Sequence, residues 1–405
     1  MFQPPKGTRD LLPSEMRKLN YVVSAVEKVF QKYGYEPIDT PAFEDWALLS
    51  SKSAGGEELK KETYYFKDKS DRELGLRYDL TVPAARIVAS DPSIAKPFKR
   101  YSIGKVWRYD QPQAGRYREF WQADVDVFGS ELPVADAEVI VVAVDCLKKL
   151  GFKDFRVRLN DRRVIERKVV NLGIKNPLEV FRCLDKLEKM GEDCVKKELK
   201  ERGIETAKIE KLMKLVRSRP EEIDELENLV KELKNFGLEK EIAIDFGLVR
   251  GFDYYTGAVF EISTGGLSIA GGGRYDKLVE TYGGKPTPAV GISLGLSRII
   301  DEMEKKKLFE VEDYPAKVFV CAVNDDVRKE AIKITQELRN KGIATDFDTA
   351  GRNLRKQFDY VNAKKIPFAV VVGPEEIKTK KLVLRDMKSG KEKKMEIEKI
   401  VKELQ

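Results

Sequence analysis

The spacing of apolar residues divides the first part of the chain into a helix and a pair of strands. Residues 14–33 (SEMRKLNYVVSAVEKVFQKY) carry apolar residues three and four positions apart behind a capping Ser, and Gly34 follows, which predicts an amphipathic helix. Residues 98–109 and 119–129 read as strands on either side of a loop that contains Pro and Gly, which predicts a long β-hairpin. Another helix is predicted at 133–150.

The second strand of the hairpin alternates in polarity. Alternate residues of a strand share a face, so one face is apolar and the other polar. The apolar face carries Trp121, Ala123, Val125 and Val127, and the polar face carries Gln122, Asp124 and Asp126. A solvent-facing antiparallel sheet has the same pattern. Three arginines on or beside the hairpin favour a binding site instead, because arginines near carboxylates suit a ligand with both phosphates and an amine: Arg108, Arg116 and Arg118.

Three regions that differ in composition and in the spacing of apolar residues follow one another along the chain. Residues 161–240 hold 38 charged side chains, with apolar residues at helical spacing, and predict a helical insertion. Strand-like runs and glycines return from 241 onwards, and the sequence GGGR at Gly271–Arg274 predicts a turn at which backbone closely approaches backbone or ligand. Beyond Tyr314, strands and helices alternate, which predicts a compact α/β domain with a mainly parallel sheet.

Composition excludes several kinds of chemistry. None of the 405 residues is histidine, so the chain has no Ser-His-Asp or Cys-His nucleophile and no His-ligated zinc. Gly291–Gly295 fits a GxSxG pattern, but no histidine is present to activate its serine. The four cysteines lie far apart, so neither a disulfide framework nor a zinc site is expected, and we assign no metal ligand among the side chains. The remaining candidates are arginines, lysines, carboxylates, amides, phenols and metal ions held by oxygen.

Charge and hydropathy indicate the location of the protein and the kind of partner that it binds. The formal charge is +7, and residues 311–405 hold 21 basic and 16 acidic side chains, which favours a polyanionic partner for this part. No run of apolar residues is long enough to span a membrane, and the N-terminus lacks the apolar core of a signal peptide. We therefore expect a soluble, cytoplasmic protein.

Several segments together resemble the histidyl-tRNA synthetase family of class II aminoacyl-tRNA synthetases. FKRYSIGKVWRYDQPQAGRYREFWQADVDVFG resembles motif 2, AVGISLGLSRI resembles motif 3, and Pro41 resembles the proline of motif 1. LGLRYDLTVPAAR resembles the amino-acid-binding strand, and LVRGFDYYTGAVFE resembles the histidine-specific segment. The resemblance runs in order along nearly the whole chain. It implies an α/β fold class: an α+β catalytic domain on an antiparallel sheet at 1–315, interrupted by a helical insertion at 165–240, then an anticodon-binding α/β domain at 316–405.

The resemblance also implies roles for individual residues. The positions that match the phosphate-binding arginines of the family are Arg108, Arg116, Arg250 and Arg298. The positions that match the amino and carboxylate contacts of the amino acid are Asp79, Thr81 and Gln122. Asp126 and Tyr255 match the pair that bonds the imidazole nitrogens, Tyr254 lines the same pocket, and Gln113 and Arg116 match positions near the tRNA acceptor end. Some family members have Glu where this chain has Asp79 and Asp126, and the shorter side chain requires a closer backbone or a bridging water.

The partners implied are tRNA(His), L-histidine, ATP with Mg²⁺, and a second copy of the chain in a homodimer, with no DNA and no membrane. One alternative is a non-catalytic paralogue, the regulatory subunit of ATP phosphoribosyltransferase. A sister class II synthetase for another amino acid and a stand-alone tRNA-binding protein are further alternatives.

Overall fold

The structure is a computed structural model, and it describes residues 2–51, 60–109, 117–218, 223–249, 254–309 and 314–405. The chain divides into two compact units, residues 1–309 and 310–405. In the described part of the chain, no helix is both long and apolar enough to cross a membrane.

An eight-stranded sheet forms the centre of the first unit. Its strands are β1 (Glu36–Pro37), β5 (Phe98–Trp107), β6 (Glu119–Phe128), β7 (Arg156–Asp161), β8 (Ile242–Ile244), β9 (Ala258–Thr264), β10 (Leu267–Arg274) and β11 (Ala289–Gly295), in the order β1-β5-β6-β11-β10-β9-β7-β8. All neighbours are antiparallel except β1 with β5 and β7 with β8. A smaller antiparallel sheet consists of β2 (Phe43–Asp45), β4 (Glu73–Leu76) and β3 (Tyr65–Lys67). The predicted hairpin is confirmed, with Phe98 opposite Phe128 and Trp107 opposite Glu119.

Helices cover both faces of the large sheet. In the described part of this unit, the α-helices other than the five that directly follow β7 include α1 (Pro13–Lys32), α2 (Trp46–Ser50), α3 (Thr81–Ser90), α4 (Pro133–Lys149), α10 (Glu227–Asn235), α11 (Leu278–Thr281) and α12 (Leu296–Lys305). The main apolar core lies between one face of the sheet and α1, α4, α10 and α12. The predictions of α1 and α4 are confirmed to within a residue. A smaller apolar cluster on the opposite face includes α3 and α11.

The charged segment that follows β7 is helical, as its spacing predicts. Its helices are α5 (Arg162–Asn171), α6 (Pro177–Leu184), α7 (Leu187–Met190), α8 (Glu192–Glu201) and α9 (Thr206–Arg217). They share an apolar core of their own, which Phe246 and Val249 join. The next helix, α10, packs against α4 in the main core instead.

The second unit is an α/β domain with a mixed sheet. Its strands, in sheet order, are β13 (Thr345–Phe347), β12 (Val318–Ala322), β14 (Phe368–Val372), β15 (Leu382–Asp386) and β16 (Glu392–Met395). Its helices are α13 (Arg328–Asn340), α14 (Leu354–Ala363), α15 (Pro374–Thr379) and α16 (Ile397–Leu404). The first three strands in sheet order are parallel, whereas β15 and β16 are antiparallel. The sheet is therefore less parallel than predicted. The connection from β14 to β15 holds only the short α15, and the one from β15 to β16 is a short loop, so neither is a crossover that would return the chain in a parallel direction.

Candidate active site

The polar face of β6 is buried. Ala123, Val125 and Val127 join the main core on one side of the strand. On the other side, Gln122, Asp124 and Asp126 are only 8%, 2% and 1% exposed. This burial excludes a solvent-facing sheet. Buried polar groups are costly unless they are hydrogen-bonded, so these three side chains need partners.

The strands beside β6 complete this buried polar face. On β5, Arg100 lies opposite Asp126, Ser102 opposite Asp124, and Gly104 opposite Gln122. On β11, the residues opposite the same three positions are Gly291, Ser293 and Gly295. A concave polar floor results, because glycines leave space where neighbouring positions carry side chains.

Asp126 is held by a cation and a phenol. Arg100, which is completely buried, forms an ion pair with its carboxylate, and the Tyr275 hydroxyl donates a hydrogen bond to the same group. Burial raises the pKa of Asp126, and the Arg100 charge opposes that rise. A Cβ on Gly291 would overlap the Asp126 carboxylate, so only glycine fits there.

Asp124 and Gln122 both bond to Ser293. The Gln122 amide Nε2 donates to Ser293 Oγ at 2.7 Å, and Asp124 accepts a hydrogen bond from the same hydroxyl. Burial raises the pKa of Asp124 to about 7, and the charge of Asp126 adds to the rise. Asp124 is therefore a carboxyl that changes its charge near neutral pH.

Three tyrosine rings stand together beside this floor. The rings of Tyr254 and Tyr255 are 4.7 Å apart, and Tyr254 meets Tyr275 edge-on at 5.6 Å. Burial raises the pKa of Tyr254 well above its ordinary value. Tyr254 and Tyr255 precede β9 and so do not alternate across a strand; both pack in the same aromatic group.

Asp79 and Thr81 lie at the start of α3, against the same pocket. Asp79 Oδ1 accepts a hydrogen bond from the Val82 backbone N at 2.9 Å, and Arg100 Nη2 donates to the Leu80 backbone O at 3.0 Å. The negative charge of Asp79 contributes to the raised pKa values of the two β6 carboxyls. The start of α3 therefore adds a third carboxylate to the site.

Two of the predicted arginines lie at the Gln122 end of β6. Arg108 directly follows β5, donates from Nε to the Tyr78 backbone O at 3.0 Å and lies 5.2 Å from the centre of the Phe120 ring. Arg298 is in the first turn of α12 and donates to the Ser268 backbone O at 3.0 Å. The neighbouring Ser297 accepts a hydrogen bond from the Trp121 backbone N. Cationic groups therefore lie at one end of β6 and acidic groups further along it.

Three predicted residues lie outside the described residues: Gln113, Arg116 and Arg250. The described parts of the chain contain no group of three acidic or sulfur side chains placed to hold a metal ion.

The predicted turn at Gly271–Arg274 is wrong. These residues form the end of β10, paired with β9 on one side and β11 on the other. The close approach expected of them is present. A Cβ on Gly273 would lie 2.7 Å from the Tyr255 ring, and one on Gly272 would overlap the β11 backbone. The glycines thus serve close packing within a sheet.

The sequence did not single out Arg100, Ser293 or Tyr275 as site residues. Each reaches the site through strand pairing. Of the three, only Ser293 belongs to a pattern noted above, the GxSxG sequence of Gly291–Gly295.

Comparison with known proteins agrees with this arrangement. Residues 7–299 match the family model described as histidyl-tRNA synthetase, and residues 317–405 match the one described as anticodon binding domain. The chain is 39% identical to the histidine–tRNA ligase of Thermococcus kodakarensis, covering 98% of this chain and 97% of that one. It is 40% identical to the histidine–tRNA ligase of Korarchaeum cryptofilum, covering 96% of each.

Solved structures show the same similarity. The histidyl-tRNA synthetase of Nostoc sp. PCC 7120 superposes with a TM-score of 0.81 at 29% identity, covering 100% of this chain and 99% of that chain. A Bacillus halodurans protein described as an ATP phosphoribosyltransferase regulatory subunit/histidyl-tRNA synthetase shares the fold, with a TM-score of 0.72 at 24% identity over 89% of this chain and 96% of that chain.

Proposed function

The chain belongs to the histidyl-tRNA synthetase family, and we propose that it activates L-histidine with ATP and transfers the histidyl group to tRNA(His). The observation that carries this proposal is the polarity of the site along β6. A buried acidic and phenolic pocket suits an imidazole and an ammonium group, and the adjoining arginines suit phosphates.

The first step would join the histidine carboxylate to the α-phosphorus of ATP. The carboxylate oxygen attacks in line, the bond to the β-phosphate oxygen breaks, and pyrophosphate leaves with the electron pair. The nucleophile is already an anion, so this step needs no general base. It needs alignment and charge neutralisation, which can contribute about 7–11 kcal/mol.

Arginines would neutralise the phosphates. We assign Arg108 and Arg250 to the α-phosphate, Arg298 to the γ-phosphate, and Arg116 to a further phosphate contact. The positions of Arg108 and Arg298 at the Gln122 end of β6 support this assignment. Mg²⁺ would enter as a complex with the ATP phosphates and would supply further charge neutralisation, since it commonly binds through substrate phosphates.

The acidic end of the site would bind histidine. Asp126 and Tyr255 would bond the two imidazole nitrogens, with Tyr254 lining the pocket. The hydrogen bond from Tyr275 and the ion pair with Arg100 support this role, because they fix the Asp126 carboxylate. Polar readout of this kind can discriminate by roughly 10⁴–10⁵-fold, because a wrong amino acid leaves buried groups unpaired.

The amino and carboxylate groups of histidine would lie nearer the phosphates. We assign them to Asp79, Thr81 and Gln122. The buried start of α3 supports the first two, and the position of Gln122 on the floor supports the third.

Transfer to tRNA would follow at the same site. A terminal ribose hydroxyl of tRNA attacks the mixed anhydride, and AMP leaves. We assign Gln113 and Arg116 to the acceptor end. Residues 316–405 would bind the anticodon, which their excess of basic side chains and the Arg352 guanidinium 4.5 Å from the Tyr360 ring support. In this proposal the helical insertion, 165–240, interrupts the catalytic domain, 1–315.

We also propose a homodimer and a cytoplasmic location. Phe43 and Phe66 support the dimer: they are 50% and 38% exposed and pack edge-on at 6.3 Å, and Phe43 lies just beyond the motif 1 proline, Pro41. The cytoplasmic location follows from the proposed substrates, ATP and tRNA.

ATP–pyrophosphate exchange measured with each of the twenty amino acids tests the proposed function. We expect exchange with histidine alone. Exchange with a different amino acid would indicate a sister synthetase. No exchange at all would favour the regulatory paralogue or a stand-alone tRNA-binding protein.

A further inference from the structure

Two buried acceptor atoms belong to the floor of the site, between Asp126 at the proposed imidazole end and the arginines at the proposed phosphate end. The Ser293 hydroxyl has one proton, which it donates to Asp124, and it accepts the bond from Gln122 Nε2. This arrangement fixes both side chains. In the described parts of the chain, Gln122 Oε1 and Asp124 Oδ1 have no hydrogen-bond partner.

Buried acceptors without partners are costly, so this pair calls for a donor from a ligand. An amide oxygen accepts only, and an ionised carboxylate also accepts only. The two residues are two positions apart on one strand face, which separates their Cβ atoms by about 7 Å. A single group with several N–H donors can reach both oxygens.

The charge of the surroundings selects the kind of donor. Three carboxyl groups meet at this floor, those of Asp79, Asp124 and Asp126. Burial raises the pKa values of both β6 carboxyls, the charge of Asp79 adds to both rises, and the charge of Asp126 adds to that of Asp124. Arg100 offsets one negative charge. Its Nη2 pairs with Asp126 and donates to the Leu80 backbone O, whereas its buried Nε and Nη1 have no hydrogen-bond partner among the described residues. The remaining negative charge favours a compact cation over a neutral amide or an anion.

We infer that Asp124 is an additional substrate-binding residue, which together with Gln122 holds the α-ammonium group of histidine. This inference rests on the proposed function and adds to it, since the resemblance assigns no role to Asp124. A primary ammonium carries three donors and one positive charge, so it meets both requirements of the floor. With the imidazole at Asp126, the ammonium at Asp124 lies on the side toward the arginines, where the carboxylate must react.

The variant Asp124→Asn tests the inference, because it removes the charge and keeps an oxygen that can accept from Ser293. We would measure the KM values for histidine and ATP in pyrophosphate exchange. Two competitive inhibitors complete the set: histidinol, which has the ammonium group but no carboxylate, and 3-(imidazol-4-yl)propionate, which lacks the ammonium group. We expect the histidine KM and the histidinol Ki to rise by about tenfold or more, corresponding to loss of one charge-assisted hydrogen bond.

The same variant should leave the ATP KM unchanged and should bind imidazolylpropionate as well as the unsubstituted protein does, or better. Equal weakening of both inhibitors would overturn the inference, because it would place Asp124 against the imidazole or in a purely structural role. An unchanged histidinol Ki would also overturn it.

Asp145→Asn is the matched control. Asp145 lies on α4 and accepts a hydrogen bond from Tyr33 at 2.7 Å, outside the site. Its replacement should change none of the four constants. Exchange by the unsubstituted protein with histidine tests the proposed function separately, so failure of that function and failure of this inference give different results.

Discussion

Replacing Asp124 by Asn should stabilise the protein in the absence of ligands, and increasingly so as the pH rises. Burial and the neighbouring negative charge raise the pKa of Asp124 from 3.8 to about 7. The folded protein therefore retains a proton that the unfolded chain releases between these two values. Stability falls as the pH rises through this window, and the full loss is present above it. Asn cannot ionise, so the variant avoids the loss.

The magnitude follows from the size of the shift. A shift of one pKa unit corresponds to 1.36 kcal/mol, so a carboxyl titrating near 7 instead of 3.8 should make the variant more stable by roughly 4 kcal/mol near pH 8. Near pH 4.5 the difference should be only about 1 kcal/mol. The charges of Asp126, Arg100 and Asp79 act on the same carboxyl and are part of this shift.

Denaturant unfolding followed by tryptophan fluorescence measures the stability of the compact unit that contains Asp124. All three tryptophans, Trp46, Trp107 and Trp121, lie in that unit, residues 1–309. The midpoints of the two proteins should diverge from pH 4.5 to pH 8 with an unchanged m-value. Asp145→Asn should run parallel to the unsubstituted protein. Parallel curves for Asp124→Asn, or a less stable variant at pH 8, would refute the reasoning.

The remaining predictions concern the substrates. Asp126→Ala should abolish histidine selectivity and activity, and Tyr275→Phe should lower kcat/KM for histidine by about tenfold. Pyrophosphate exchange measures both effects. Unchanged kinetics would show that the replaced residue does not contribute to the histidine pocket. Gly291→Ala should lower kcat about 10²-fold or more, since its Cβ displaces the Asp126 carboxylate; full activity would contradict the packing seen there. The ratio of histidine KM values, Asp124→Asn over unsubstituted protein, should grow as the pH rises through about 7, because only ionised Asp124 attracts the ammonium; a constant ratio from pH 6 to 8.5 would contradict this. The Kd for tRNA should rise steeply with salt concentration, and a flat response would count against phosphate contacts.

The polar face of β6 could be predicted from the sequence, but its burial could not. Alternation along the strand identifies Gln122, Asp124 and Asp126 as one face, because strand geometry alone decides which residues share a side. Whether that face meets solvent depends on α3 and the tyrosines near β9, which are distant in sequence. The local sequence pattern of β6 does not show that α3 and these tyrosines cover its polar face.

The partners of those residues depend on strand pairing. The register of the hairpin brings Arg100 opposite Asp126, but the loop between its strands is too long for turn chemistry to fix that register. Tyr275 requires in addition that β10 pair with β11. The turn predicted at Gly271–Arg274 is wrong for a related reason. Glycine serves a turn through its backbone freedom and a crowded sheet through its missing Cβ, and only the neighbouring strands distinguish the two.

The absence of histidine from this chain is compatible with the proposed activation of histidine by ATP, because the substrates themselves supply the reacting groups. The nucleophile of the first step is the carboxylate of the substrate, and arginines and Mg²⁺ can balance the phosphate charge, so no side chain must exchange a proton in that step. Selection of the imidazole requires fixed donors and acceptors, which a carboxylate and phenols supply. The one property usually associated with histidine, a change of charge near neutral pH, is present at the floor of the site in Asp124. Burial among other carboxyls gives that side chain its pKa, and the same excess of negative charge prepares the pocket for a cationic substrate.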